Sequence, residues 1–446
     1  MKSILIIVIM LSCSMIFSDV LTLEGAKEIA LENNAQYLSA KHTYQSEKWN
    51  EVNAFTSLLP SGTFSASQSQ EKPGLLPPET NTRVYGYNIT QPVFLGGKAW
   101  LGYKMARDAK QIARNTLAEK KLEIIYLTEE NFFDFAEAKE YSVIAEGQLE
   151  SANKNLQKAE VRFEIGTISS TDYLKIKADT ASKETELIQA ETRYNLSSRG
   201  LRSFLGLQDN PQTETTDLSE YKTISDKLAN FDTAGTQAFV QEAVQLASTN
   251  NFTLKTMNET KAIADKNVLM SLGNFLPSVT LSYSNNWIKL WDETLTHSDV
   301  DYKDSQTLGL SASIPIFPIA DNFANYKKVR YQQRKTDEDV KEAENNINLA
   351  VESAVMNLIS SGKQSHATKL TLEYTTELQS QISEKFNSGL VSADELLDSE
   401  IMLKGAKISD VQSKYAFIMA KSKLMQLLGE EDEYKFLQLI NNAEEK

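Results

Sequence analysis

One short pattern occurs twice in this chain, 223 residues apart, and it limits the folds open to everything else. Residues 163–174 read FEIGTISSTDYL and residues 386–397 read FNSGLVSADELL. Phe, Gly, Ser and Leu coincide, an acid recurs (Asp172, Glu395), and a base precedes each copy (Arg162, Lys385). In both, a long helical pattern stops at a glycine, which supplies the φ > 0 that ends a helix. It restarts behind a serine able to cap the next one. Each copy reads as the tip of a helical hairpin.

The duplication extends well beyond the tips. Thr22–Leu59 is helical by pattern, with apolar residues near a 3.6 period, and its counterpart is Phe239–Leu276. Asn34 to Pro60 and Asn251 to Pro277 are both 26 residues. Two strand-like runs follow in each half: Thr63–Gln70 and Arg83–Phe94, then Val279–Trp287 and Thr307–Phe317. Alternation puts Val279, Leu281 and Tyr283, and Leu308, Leu310, Ala312, Ile314 and Ile316, on apolar faces backed by small polar residues. That pattern suits a sheet between lipid and water. Thr63–Gln70 carries the weakest signal. Then come proline-free Lys98–Glu164 and Asp321–Asn387, 67 residues each and roughly 100 Å as rods. Behind the tips, Thr171–Phe204 and Ala393–Leu427 return and end at Leu205-Gly206 and Leu428-Gly429. The polar segments between read as an irregular belt halfway along the rods.

Five segments result: 1–18 a signal peptide, 19–206 a first repeat, 207–238 an equatorial linker, 239–429 a second repeat, and 430–446 a C-terminal equatorial tail. The signal peptide is read from Lys2, the apolar Ile4–Leu11 and the small-residue site before Asp19. Cys13, the one cysteine, lies within it. Met10-Leu11-Ser12-Cys13 resembles a lipoprotein box with Cys13 as the lipidation site, but Met10 fits poorly, and an ordinary signal-peptide residue is the favoured reading. A net charge of −14 argues against a nucleic-acid partner. The histidines His42, His297 and His366 stand singly, so no metal site or cofactor is expected. No phosphate loop or nucleophile constellation points to an enzyme.

Four strands cannot close a barrel, and an open sheet edge cannot sit in lipid. If these strands enter a membrane the chain must oligomerise, and three chains would supply twelve strands. An outer-membrane barrel implies a two-membrane bacterium, with the rods extending into the periplasm. A different class, a periplasmic coiled-coil adaptor or structural protein, should show one hairpin in a split β domain rather than two matched halves.

The chain resembles the TolC family of outer-membrane efflux channels. The residues that carry the resemblance are Leu21–Asn34, Leu58-Leu59-Pro60, Phe275-Leu276-Pro277, Gln91-Pro92-Val93-Phe94, Ile314-Pro315-Ile316-Phe317, both tip glycines and both Leu-Gly endings. The resemblance spans Leu21 to Gly429 and implies an α+β membrane protein. It implies a homotrimer whose twelve-stranded β-barrel, four strands per chain, continues into a twelve-helix α-barrel. It also implies partners, a periplasmic adaptor (membrane fusion protein) and an inner-membrane transporter, serving efflux or type I secretion through a passive channel.

Site residues follow from the tips. Glu395 and Asp398 share a helix face at i, i+3 and match the family's aperture positions, so they are the candidate cation-selective gate ring; a solvated acidic face with Asp394 as one more member is the plainer alternative. Asp172 occupies the equivalent place in the first copy, where a capping acid is an equal reading. Gly166, Thr167, Ile168 and Ser169, with Gly389, Leu390, Val391 and Ser392, are the adaptor-docking candidates; Ile168, Leu390 and Val391 are apolar at turns expected to be exposed. Some family members lock the tip with an Arg and a Tyr around the second glycine. This chain has Val391 and Phe386 there, so closure is expected to rest on packing.

Overall fold

A computed structural model describes residues 21–71, 80–209, 219–292, 301–317 and 319–444. The expected signal peptide, Cys13 included, lies outside the described residues. The elements in chain order are α1 (Leu23–Asn33), α2 (Ala35–Thr56), β1 (Ser61–Glu71), β2 (Thr80–Leu95), α3 (Lys98–Glu164), α4 (Ser170–Leu205) and α5 (Ser219–Ala229). Then come α6 (Thr233–Asn250), α7 (Phe252–Leu272), a 3-10 turn at Gly273–Phe275, β3 (Ser278–Asp292), β4 (Lys303–Ser313), α8 (Ile319–Asn387), α9 (Ala393–Leu428) and α10 (Glu433–Glu444). Among the described residues no helix is long and apolar enough to cross a membrane.

The chain forms two compact units, and both draw on both halves of the sequence. One comprises Ser39–Lys120 and Leu246–Leu349. It holds a four-stranded antiparallel sheet in the order β1-β2-β3-β4. The register aligns the strand faces across the whole sheet. Thr63, Asn88, Ser284 and Thr307 form one cross-strand row, and Ser61, Thr90, Ser282 and Gly309 the next, all on one face. The opposite face carries Phe64, Tyr85, Tyr87, Ile89, Leu281, Tyr283, Trp287, Leu308 and Leu310. On it Tyr87 packs 5.9 Å from Tyr283 and 6.0 Å from Trp287, centroid to centroid. Leu308 and Leu310 on β4, like Phe64 on β1, are about 70% exposed, so both sheet edges are open and each shows apolar side chains, β1 through Phe64 alone among its large residues.

Helices of this unit follow the strands in the same lateral order. Glu51 of α2 pairs with Lys110 of α3, Asp108 of α3 with Lys266 of α7, and Asp265 of α7 accepts a hydrogen bond from Gln333 of α8. The order is therefore α2-α3-α7-α8. At the strand–helix joint, Gly96 (φ 63°) and Gly273 meet backbone to backbone.

The other unit comprises residues up to Leu38, Lys121–Gln245 and Ala350 onward. Its core gathers Ala26, Ile29 and Ala30 of α1, Ile124, Phe132, Phe133 and Phe135 of α3, Leu201 and Leu205 of α4, and Val411, Tyr415 and Ile418 of α9. Lys421 is buried between the rings of Tyr221 (4.6 Å) and Phe436 (6.0 Å) and pairs with Glu433 at 2.6 Å. The stem of a lysine contributes apolar area while its head finds a carboxylate, so this residue ties α5 and α10 to α9.

Four expectations change. Thr22–Leu59 is two helices, because Asn34 leaves the helical conformation (ψ 120°) and its Oδ1 accepts the Gln36 and Tyr37 amides, capping α2. Asn251 breaks Phe239–Leu276 in the same way, accepting the Leu254 amide at 3.1 Å. β4 begins at Lys303 and ends at Ser313, short of Ile314 and Ile316; Pro315 has no amide to offer a ladder. The polar segments are not irregular throughout: 207–238 contains α5 and the start of α6, and 430–446 contains α10.

Replacing Gly96 by Ala places a Cβ 2.3 Å from the Gly273 carbonyl oxygen, whereas at Gly97 (φ 78°) a Cβ meets open space. Gly97→Ala is expected to cost about 1 kcal/mol in backbone strain alone. Gly96→Ala should cost at least about 2 kcal/mol. Thermal unfolding followed by circular dichroism checks the order; equal midpoints for the two variants would contradict the close approach.

Candidate functional site: the two helical tips

The two tips are built alike. Gly166 (φ 76°) and Gly389 (φ 75°) take the left-handed conformation. The Thr167 amide donates to the Arg162 carbonyl at 2.8 Å and Gly166 to Phe163 at 3.0 Å; Leu390 to Lys385 and Gly389 to Phe386 repeat this at 2.9 Å each. This pair of bonds satisfies the last carbonyls of α3 and α8. Ser169 Oγ then accepts the Asp172 amide at 3.0 Å, and Ser392 Oγ the Glu395 amide at 3.3 Å, capping α4 and α9.

The tips hold each other through a small core of their own. Ala159, Ile176, Phe386, Ala393 and Leu396 are buried together, with Ile168, Tyr173 and Val391 packed against them. Ile168 and Val391, expected as exposed turn residues, are thus half-buried. Leu390 is 75% exposed, and Ile165, just before the first tip glycine, is 68% exposed. Arg162 crosses from the first tip to the second. Its guanidinium donates to the Phe386 carbonyl at 3.0 Å and lies 5.1 Å from the centre of the Phe386 ring. Lys158 donates to Asn387 Oδ1 at 3.0 Å beside it. Position 391 carries no arginine, yet the tips are joined by one that comes from the other hairpin. Its one sequence signal is its place before the repeated Phe.

The candidate gate acids differ in surroundings. The Asp172 carboxylate accepts a hydrogen bond from Ser169 Oγ at 2.8 Å, which engages it in the cap. Asp394 is held by Lys175 at 2.7 Å, and that contact raises the Lys175 pKa. Glu395 and Asp398 are exposed. They lie on the side of α9 turned away from the buried row Ala393, Leu396 and Ser399. They are the acids of this helix end free of an ion pair among the described residues. No group of three or more His, Cys, Asp or Glu side chains there is arranged to hold a metal ion.

Comparison with known proteins bears on the family and on the fold. A family model described as "Outer membrane efflux protein" matches residues 27–207 and 243–430. The outer membrane protein TolC of Vibrio cholerae is 21% identical over 421 residues, covering 90% of this chain and 89% of the relative. Among solved structures, the outer membrane channel CmeC of Campylobacter jejuni superposes with a TM-score of 0.77 at 16% identity, over 94% of this chain and 89% of that one. The MtrE outer membrane channel of Neisseria gonorrhoeae, solved in its open state, gives 0.76 at 15% identity, over 92% and 89%.

Arg162→Ala removes a charge-assisted hydrogen bond and a cation–π contact, together about 2 kcal/mol. Amide exchange across residues 386–392 should quicken roughly thirtyfold, with Arg162→Lys in between because an ammonium lacks the flat fork. Exchange unchanged in Arg162→Ala would show that the tips do not depend on it.

Proposed function

This chain belongs to the outer membrane efflux protein family, the TolC family, and on that premise we propose that it is the channel-tunnel of a tripartite export system. It is a homotrimer in the outer membrane that conducts substrates passively outward. A periplasmic adaptor and an inner-membrane transporter deliver them, in efflux or type I secretion, and the tips form the gate. The observation that carries this reading is the four-stranded sheet with two open edges and sorted faces. Its apolar, aromatic face suits lipid and its hydroxyl face suits water. Both edges need a strand partner in a bilayer. Three copies joined β1 to β4 make a closed twelve-stranded barrel.

The helices support the same closure. α2 buries none of its residues within one chain, and Trp49, Val52 and Phe55 stand exposed on one stripe of it. Joining β1 to β4 brings α2 of one copy beside α8 of the next, which covers that stripe. Two repeats, 19–206 and 239–429, with belts at 207–238 and 430–446, account for a family match that falls in two stretches.

At the tips, three copies of Glu395 and Asp398 form a ring of carboxylates that favours cations and binds multivalent ones as blockers. Exposed Leu390 and Ile165, with the turns Gly166–Ser169 and Gly389–Ser392, are the surface for the adaptor.

Purified protein should run as a heat-stable trimer from outer-membrane fractions and conduct cations preferentially in planar bilayers. Glu395→Ala with Asp398→Ala is expected to reduce cation preference and block by multivalent cations severalfold, leaving the trimer intact. Selectivity and block unchanged in that double variant remove the ring from the aperture; a soluble periplasmic monomer defeats the channel reading itself.

A further inference from the structure

A second charged group lies where α3 and α4 of the first hairpin meet α9 of the second. Lys183 of α4 is 5% exposed and stands 3.5 Å from Asp179 and 3.8 Å from Glu186, beyond good hydrogen-bonding distance. Glu186 pairs with Lys404 of α9 at 2.7 Å. One turn back on α9, Glu400 Oε1 accepts a hydrogen bond from Asn155 Nδ2 of α3 at 2.8 Å. Thr180 Oγ1, buried beside them, donates to the Ile176 carbonyl at 2.9 Å and lies 3.4 Å from the Ala152 carbonyl of α3. The hub therefore binds three helices, and one of them belongs to the other hairpin.

Its charges do not cancel. Asp179, Glu186 and Glu400 are three carboxylates against two ammoniums, Lys183 and Lys404. An uncompensated charge partly withdrawn from water, as Glu400 is, carries a cost, and a proton is the smallest cation that removes it. Asn155 suits either state of its partner, since an amide donates to a carboxylate and accepts from a carboxylic acid. We propose that this hub is a proton-operated clamp between the two hairpins. Uptake of a proton at Glu400 tightens α9 against α3 and α4, and its loss loosens them.

The groups facing Glu400 are Asp179 and Lys183 from α4 and Asn155 from α3, with Lys404 one turn along its own helix. Burial first, then Asp179, push the Glu400 carboxyl up, against the pull of Lys183 and the Asn155 hydrogen bond. Parting the helices returns Glu400 to water and toward its ordinary value of 4.5. The docked state holds the proton more tightly. Docking therefore strengthens as pH falls through the raised value toward 4.5 and is weakest above the raised value. One proton changes the docking equilibrium by at most about tenfold per pH unit. That the clamp bears on opening rests on the channel reading; that it governs the contact between hairpins does not.

The test is hydrogen–deuterium exchange of residues 396–404 of α9, the turns around Glu400 and away from Asp410, whose carboxyl burial also raises, in the full-length detergent-purified protein between about pH 5 and about pH 8, corrected for intrinsic rates. Wild-type exchange should rise with pH, up to about tenfold per unit. Glu400→Gln should be flat, at the slow acid-side rate. Lys183→Met, which deprives Glu400 of its attracting cation, should move the rise to higher pH. A flat wild type, or a Glu400→Gln protein with the wild-type dependence, overturns the clamp. If Glu400→Gln does not assemble, an unshifted rise in Lys183→Met overturns it instead. Conductance of the same preparations reads the other link: exchange that responds to pH while conductance does not upholds the clamp and detaches it from opening.

Discussion

A backbone amide or carbonyl in hydrocarbon has no water to turn to, and the rest of this structure depends on that constraint. The sheet ends in two edge strands, β1 and β4, each paired on one side only. Their side chains are almost wholly exposed in one chain. In a bilayer such edges demand another strand, a demand that the proposed ring of identical chains would meet. Because the helices repeat the lateral order of the strands, closing the sheet also dictates which helices meet. On the proposed closure, the apolar stripe on α2 and the aromatic face of the sheet follow from one pairing rule, expressed once in water and once in lipid.

Much of this was legible in the sequence, for physical reasons that differ from element to element. The tips were visible because few residues tolerate the left-handed turn at Gly166 and Gly389 or cap as Ser169 and Ser392 do. The strand faces were visible because a period of two is hard to mistake when Ser, Thr and Gly alternate with Leu, Tyr and Ile. The breaks at Asn34 and Asn251 were hidden, since asparagine fits a helical pattern until its side chain is seen accepting amides ahead of it. α5 and α10 were hidden by polarity. Their few apolar residues (Ile224 and Leu228; Phe436, Leu439 and Ile440) sit at helical spacing and are buried, but charged neighbours dilute the signal. At β4 the alternation runs on past the point where Pro315 ends the ladder.

The tips show a different limit. Gly, Ser and the flanking acids announce a turn, yet they do not reveal what keeps two turns together. That is tertiary: Arg162 against Phe386, Ile168 and Val391 folded onto a small core, Lys175 against Asp394. Residues that looked like ready-made contacts for a partner are partly spent on this internal packing. A narrower exposed surface remains, with Leu390 and Ile165 at its apex.

The polar face of the sheet has a consequence for cargo. From the row Ser61–Thr90–Ser282–Gly309 to the row Ser65–Gly86–Asn286–Ser305 it presents hydroxyls, amides and glycine, with neither bulk nor formal charge. A hydroxyl both gives and takes hydrogen bonds, so a passing solute exchanges partners with the wall much as it does with water. On the proposed channel reading, this stretch of lining offers no deep well in which a molecule lingers, so it contributes little to choosing what passes.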